Sequence, residues 1–204
     1  MHSFPSDGGL IIFLRLPEKG KVKTRLAATV GDDQALNIYQ QLISYTLELA
    51  SLSPQKVYLF FDGGLPTEAD RDVRFSYYKQ SDGDLGMKML NAISFVLNYH
   101  TKAIVIGSDC PDLSLAILTE SFTRLEDNSV VLGPAIDGGY YLIGCKAVYP
   151  SLFEDIQWST ATVLNATIEK IKKEKLTYSL LETLSDIDSE EDWNQFVHRK
   201  KLSS

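Results

Sequence analysis

The sequence predicts an α/β fold: a mainly parallel sheet wrapped on both faces by helices. Three observations predict it. Strand-like apolar runs alternate with segments whose apolar residues recur at helical spacing. The first run, "LIIFLRL" at 10–16, is almost continuously apolar, as a strand buried on both faces must be. Finally, 204 residues with 44% hydrophobic and 23% charged side chains are ordinary globular usage, enough for one well-buried domain over 1–204. No repeat, low-complexity stretch or interdomain linker interrupts the chain.

Each element follows from local pattern. The first strand comes after Gly8-Gly9, read as a turn, and stops at Pro17. From Asp32 to Ser51, Leu36, Tyr39, Ile43, Leu47 and Ala50 mark one helix face, with Gly31-Asp32-Asp33 as the start signal. "KVYLFF" (56–61) is the second strand and "FSYYKQ" (75–80) a shorter third. Leu85, Met89, Ala92, Ile93 and Val96 give the next helical face, and "AIVIGSD" (103–109) the fourth strand. A helix from about Ser114 to Leu125, strands "SVVLGPA" and "YYLIGCK", and helices near 160–174 and 189–200 complete the chain.

Composition narrows the function. A net charge of −7 and a pI near 5.0 argue against general affinity for nucleic acid or anionic membranes, so any phosphate binding is local. Cys110 and Cys145 lack CxxC spacing and suit neither a disulfide framework nor a zinc site. "MHSFPSDGG" lacks a secretory pattern, and no apolar run approaches the ~18 residues that span a bilayer, so the expected compartment is the cytoplasm.

In open parallel sheets, ligands bind outside the carboxyl ends of the strands, so the segment leaving each strand matters most. After the first strand, Arg15, Lys19, Lys21, Lys23 and Arg25 crowd into eleven residues of an acidic chain. With Gly20 and Thr24 they offer backbone and charged donors to a polyphosphate, although a solvated basic loop has the same composition. The loop is neither GxxxxGK[ST] nor GxGxxG. After the fourth strand, "GSDCPDL" places Asp109 where a hard divalent cation finds a carboxylate, while Asp112 or Ser114 suits a helix cap. "GPAIDGG" (133–139) sets Asp137 beside Gly138-Gly139, a hairpin turn or a close approach to ligand, just before Tyr140. In "SDIDSEEDW", Asp186 and Asp188 precede a helix, and Asp188 with Glu191 matches a capping box. His2, His100 and His198 are scattered, and no GxSxG or Cys/His pattern suggests covalent catalysis.

Taken in order, "FLRLPEKGKVKTRLAATVG", "GSDCPDL", "VLGPAIDGGYYLIG", "LFEDIQWSTATVL" and "LSDIDSEEDW" resemble a bacterial family known as DUF2064, in the GT-A nucleotide-diphospho-sugar transferase superfamily. The chain departs from it at Arg15 and Glu18, where the family more often has a small or apolar residue and a second proline. The resemblance implies a Rossmann-like three-layer α/β/α sandwich that binds a nucleotide, joined to a sugar, with Mg²⁺ or Mn²⁺. It extends to nucleotidyltransferases that make molybdenum-cofactor dinucleotides, 2-phospholactate derivatives and CMP-sugars, in which aspartates matching Asp109 and Asp188 look like the metal pair.

Three functions are open on this reading. In glycosyl transfer from a nucleotide-diphospho-sugar to a small-molecule or lipid-linked acceptor, Asp109 and Asp188 hold the metal. Arg15, Lys21, Lys23, Thr24 and Arg25 bind the phosphates, and Asp137 serves as general base or sugar contact. Gly138, Gly139, Tyr140, Trp158, Ser159 and Thr160 border the substrate, though a half-buried tryptophan with a Ser/Thr cap explains the last three as well. The second is nucleotidyl transfer from an NTP, and the third a nucleotide-binding domain without turnover.

Overall fold

The computed structural model describes residues 7–202; His2 and most of the segment read for a secretory signal lie outside them. Seven strands form one sheet in the order β3-β2-β1-β4-β6-β5-β7. They are β1 (Gly8–Arg15), β2 (Lys56–Asp62), β3 (Ser76–Lys79), β4 (Lys102–Ile106), β5 (Val130–Pro134), β6 (Tyr140–Cys145) and β7 (Tyr178–Leu180). The β1–β2, β1–β4, β2–β3 and β5–β7 pairs are parallel, whereas β6 runs antiparallel to both neighbours. The helices are α1 (Thr24–Val30), α2 (Asp32–Leu52), α3 (Leu85–Leu97), α4 (Leu115–Arg124), α5 (Val163–Lys173) and α6 (Glu190–Leu202). This is the α/β sandwich expected.

The strand period of two sorts the core into two layers. Leu10, Ile12 and Leu14 of β1 join Leu59, Phe61, Ile104 and Ile106 beneath Ala50 of α2 and Leu118 and Phe122 of α4. Ile11 joins Phe60, Val105 and Ile143 on the other face, against Met89 and Ile93 of α3 and Ile171 of α5. A third cluster, Leu26, Ile38, Leu42, Ile187, Trp193 and Phe196, ties α1, α2 and α6 together beyond the sheet.

Several boundaries differ from the sequence reading. Gly8 and Gly9 belong to β1 rather than to a turn. A Cβ on them would collide with the Phe122 ring and with Val96 Cγ1, so glycine is what lets the helices close on the sheet. The loop read over 15–31 contains α1, and β4 ends at Ile106, leaving Asp109 on the turn beyond it. Ser114 is the cap of α4, its side chain accepting from Ile117 N, while Asp112 pairs with Arg199 of α6 at 2.6 Å. Among the described residues, both cysteines are buried and free, and no helix is long and apolar enough to cross a membrane.

Candidate active site

A cleft of about 650 Å³ opens over the carboxyl ends of β1 and β4, where the chain leaves the sheet in opposite directions. Because β6 is reversed, its starting end arrives at the same edge, with Ile106 of β4 opposite Leu142. That reversal is why the Asp137–Tyr140 loop sits beside Asp109. The end of β1 is fixed by Tyr39 of α2, whose hydroxyl accepts from Arg15 N at 2.8 Å and donates to Arg15 O at 3.1 Å. From sequence Tyr39 counted only as an apolar helix position.

Lys23 lies at the centre of the charged end. It takes the left-handed conformation, φ 46° and ψ 47°, just before α1. Its side chain is only 8% exposed, and its ammonium meets three oxygens: Ile187 O at 2.6 Å, Asp109 Oδ1 at 3.0 Å and Asp188 Oδ1 at 3.1 Å. The carboxylates are neighbours because Ile187 N donates to Asp109 O at 2.8 Å, joining the two loops. Ile187 is itself buried in the third core cluster, so the alternation of this extended segment turns Asp186 and Asp188 to the cleft. Arg25 reaches Asp188 Oδ2 at 3.4 Å.

The electrostatics follow from this packing. Burial pulls the Lys23 pKa down, but Asp109 and Asp188 outweigh it and leave it raised. Asp186 is pushed up to about 7, first by burial and then by the charges of Asp109 and Asp137, against which Lys23 only partly helps. Sequence reasoning passed over Asp186 as a capping residue; the signal it held was its spacing of two from Asp188. The cap of α6 is supplied elsewhere. Ser189 Oγ accepts from Asp192 N at 3.2 Å and Asp192 Oδ2 accepts from Ser189 N at 2.8 Å, which displaces the expected Asp188–Glu191 box by one residue and frees Asp188 for the cations.

The cleft brings together most of the residues expected from sequence. Arg15, Lys23, Thr24 and Arg25 line one side, Asp109, Asp137 and Asp188 the floor and edge, and Gly139, Tyr140, Trp158, Ser159 and Thr160 the far wall. Two are not among its lining. Lys21 turns to Glu18 at 2.5 Å, a local ion pair that satisfies it away from the cleft. Gly138 adopts φ +89° against the 158–164 segment, where a Cβ would collide with the carbonyl of Ala161, and its own carbonyl accepts from Leu164 N at 2.9 Å. Its close approach is thus to the protein's own backbone. Asp137 Oδ1 accepts from Gly139 N at 2.8 Å, forming the turn while the carboxylate stays exposed.

Arg15 binds Asp62 at 2.9 Å, and Lys88 reaches the other oxygen at 3.4 Å. Burial opposes the charge on Asp62, but these cations hold its pKa below the usual carboxylate range. Gln80 caps the ends of β1 and β2, donating to Leu14 O and Phe60 O. On the opposite wall Tyr140 and Trp158 meet edge to face at 6.5 Å.

The three oxygens at this point bind the Lys23 ammonium, and two of them belong to carboxylates. Among the described residues no three His, Cys, Asp or Glu side chains converge as a metal cage. Two carboxylates, with phosphate oxygens completing the shell, are what Mg²⁺ or Mn²⁺ commonly takes.

Comparison with known proteins places the fold. The model of the bacterial family DUF2064, described as uncharacterized, matches residues 46–160. A structure from Desulfovibrio desulfuricans G20, provisionally named a nucleotide-diphospho-sugar transferase, is 29% identical and superposes with a TM-score of 0.89 over 98% of this chain and 90% of that one. Rv0371c of Mycobacterium tuberculosis H37Rv, solved with manganese, is 11% identical with a TM-score of 0.59 over 95% and 99% of the two chains. The 4-diphosphocytidyl-2C-methyl-D-erythritol synthase of Anaerococcus prevotii DSM 20548 is 10% identical with a TM-score of 0.59 over 91% and 94%. The last two share the fold alone. No curated protein matches the chain.

Proposed function

The chain belongs to the DUF2064 family of uncharacterized bacterial proteins, and from that premise we propose that it is a metal-dependent transferase that moves a sugar from a nucleotide-diphospho-sugar to a hydroxyl of a small-molecule or lipid-linked acceptor. The observation that carries this reading is the convergence of Asp109 Oδ1, Asp188 Oδ1 and Ile187 O on one cationic atom at the carboxyl end of the sheet. The provisional name of the Desulfovibrio relative points the same way.

Asp109 and Asp188 would hold Mg²⁺ or Mn²⁺, which would supply positive charge to offset the negative charge developing on the departing nucleoside diphosphate. The protein's own groups do the rest. Arg25, Thr24 and Arg15, which line the same cleft, hold the diphosphate, arginine by its planar fork. The acceptor oxygen attacks the anomeric carbon, the bond from that carbon to the β-phosphate oxygen breaks, and Asp137 takes the acceptor proton. Asp137 suits this because one oxygen is fixed by Gly139 N, which leaves the other as acceptor. Tyr140, Trp158, Ser159 and Thr160 border the acceptor, and the aromatic faces exclude water from the reacting bond.

A thermal-shift panel of NTPs, NDPs and NDP-sugars, each with and without Mn²⁺, tests the reading, since a ligand of the folded state raises stability by mass action. The expected result is a metal-dependent shift that is largest for one NDP-sugar. A larger shift for a free NTP would replace glycosyl transfer by nucleotidyl transfer, and a shift indifferent to metal would leave a binding domain.

A further inference from the structure

Lys23 has a second consequence. An ammonium carries three N–H groups and no acceptor, and three oxygens surround this one within 3.1 Å. Its stem is buried and its backbone held left-handed, so the charge is fixed in the protein rather than offered to the cleft. Arg25 adds a second positive charge on Asp188, 3.4 Å away and 76% exposed. Lys23, Arg25, Asp109 and Asp188 therefore form one contact set whose formal charges cancel. A divalent cation entering alone is drawn by Asp137 and Asp186, which line the same cleft, but the two carboxylates it needs already bind other cations. A polyphosphate changes the sum by adding negative charge and by engaging Arg25 at the open mouth.

We propose that Lys23, seconded by Arg25, is an internal counter-ion that bars divalent metal from Asp109 and Asp188 until a polyphosphate is bound, so that metal and nucleotide load together. This rests on the reading of those aspartates as metal ligands. It assigns Lys23 to the carboxylates rather than to the phosphates, as the sequence alone suggested. Free metal then does not occupy the cleft, and the carboxylates stay paired until the donor arrives.

The test is Mn²⁺ binding in the absence of any nucleotide, followed by the electron paramagnetic resonance of free Mn²⁺. Wild-type protein is expected to bind weakly. Lys23→Met keeps the stem and removes the charge, and should bind at least tenfold more tightly. Arg25→Met, at an exposed position that tolerates change, should gain about threefold. Adding Asp109→Asn to Lys23→Met should abolish the gain. The proposal is overturned if neither single variant binds Mn²⁺ more tightly than wild type, or if the gain survives Asp109→Asn. A gain that depends on Asp109 but accompanies no metal-dependent nucleotide shift in the thermal panel would keep the counter-ion, overturn the joint loading and sink the transferase reading.

Discussion

The two walls of the cleft solve the problem of buried polarity in opposite ways. At the charged end the cations have partners within the protein: Lys23 on Asp109 and Asp188, Arg25 on Asp188, and Arg15 and Lys88 on Asp62. At the aromatic wall the partners are missing. Tyr140 Oη, Trp158 Nε1 and the Thr167 hydroxyl are all buried without a well-formed hydrogen bond, although Thr167 lies close enough to act on the Tyr140 hydroxyl. A satisfied charge cluster holds loops from distant parts of the chain in register, whereas buried donors without a well-formed bond cost stability. The first wall is therefore held by ion pairs and the second by aromatic packing.

Four changes would break or sharpen this contrast. The largest effect is expected at the charged end: Asp109→Asn should lower metal-dependent turnover by about 10²–10³ once the donor is identified, the usual cost of one such electrostatic contact. Unchanged Mn²⁺-dependent nucleotide affinity would remove Asp109 from the site. Gly138→Ala comes next, because it meets Ala161 backbone at a positive φ; a loss of about 2–3 kcal/mol in urea denaturation is expected, and a loss below about 0.5 kcal/mol would mean that the far wall is looser than its contacts imply.

Asp186 gives a pH signature. Its folded pKa near 7 lies above the unfolded value of about 3.9, so between those values the folded protein retains a proton that the unfolded chain has released. The stability this proton contributes is complete below about pH 4 and is lost as pH rises through about 7. In metal-free buffer Asp186→Asn should flatten that decline and add about 2 kcal/mol near pH 8; parallel wild-type and variant curves would contradict it. The smallest effect belongs to the aromatic wall. Tyr140→Phe removes a buried hydroxyl beside Thr167 and should change stability by less than about 1 kcal/mol. A large destabilisation would show that the hydroxyl is already satisfied.

Much of this was legible in the sequence because hydrophobic period is a local signal. The strands over 10–16, 56–61 and 103–109 and the helix from Asp32 appear within a few residues of their places. The loops at the strand ends then pointed to Asp109, Lys23 and Asp137. Elements too short to show a period escaped: α1 is seven residues long and buries only Leu26, and β7 is a three-residue strand. The roles of Lys21, Asp186 and Asp188 turn on which of several nearby partners each side chain takes, a choice that hydrophobic period does not encode. Glu18 removes Lys21 from the cleft, and the burial of Ile187 turns Asp186 into it. Asp188 escapes its cap only because Ser189 and Asp192 satisfy each other.

The bond from Lys23 to Ile187 closes a loop of 164 positions. Contacts of such separation form late, since the entropy of closing the loop must be met before they contribute. During synthesis the first four strands emerge and can pair long before the segment bearing Asp188 leaves the ribosome. The cationic arm that bears Lys23 therefore gains its partners at Ile187 and Asp188 only after the strands between them have been made.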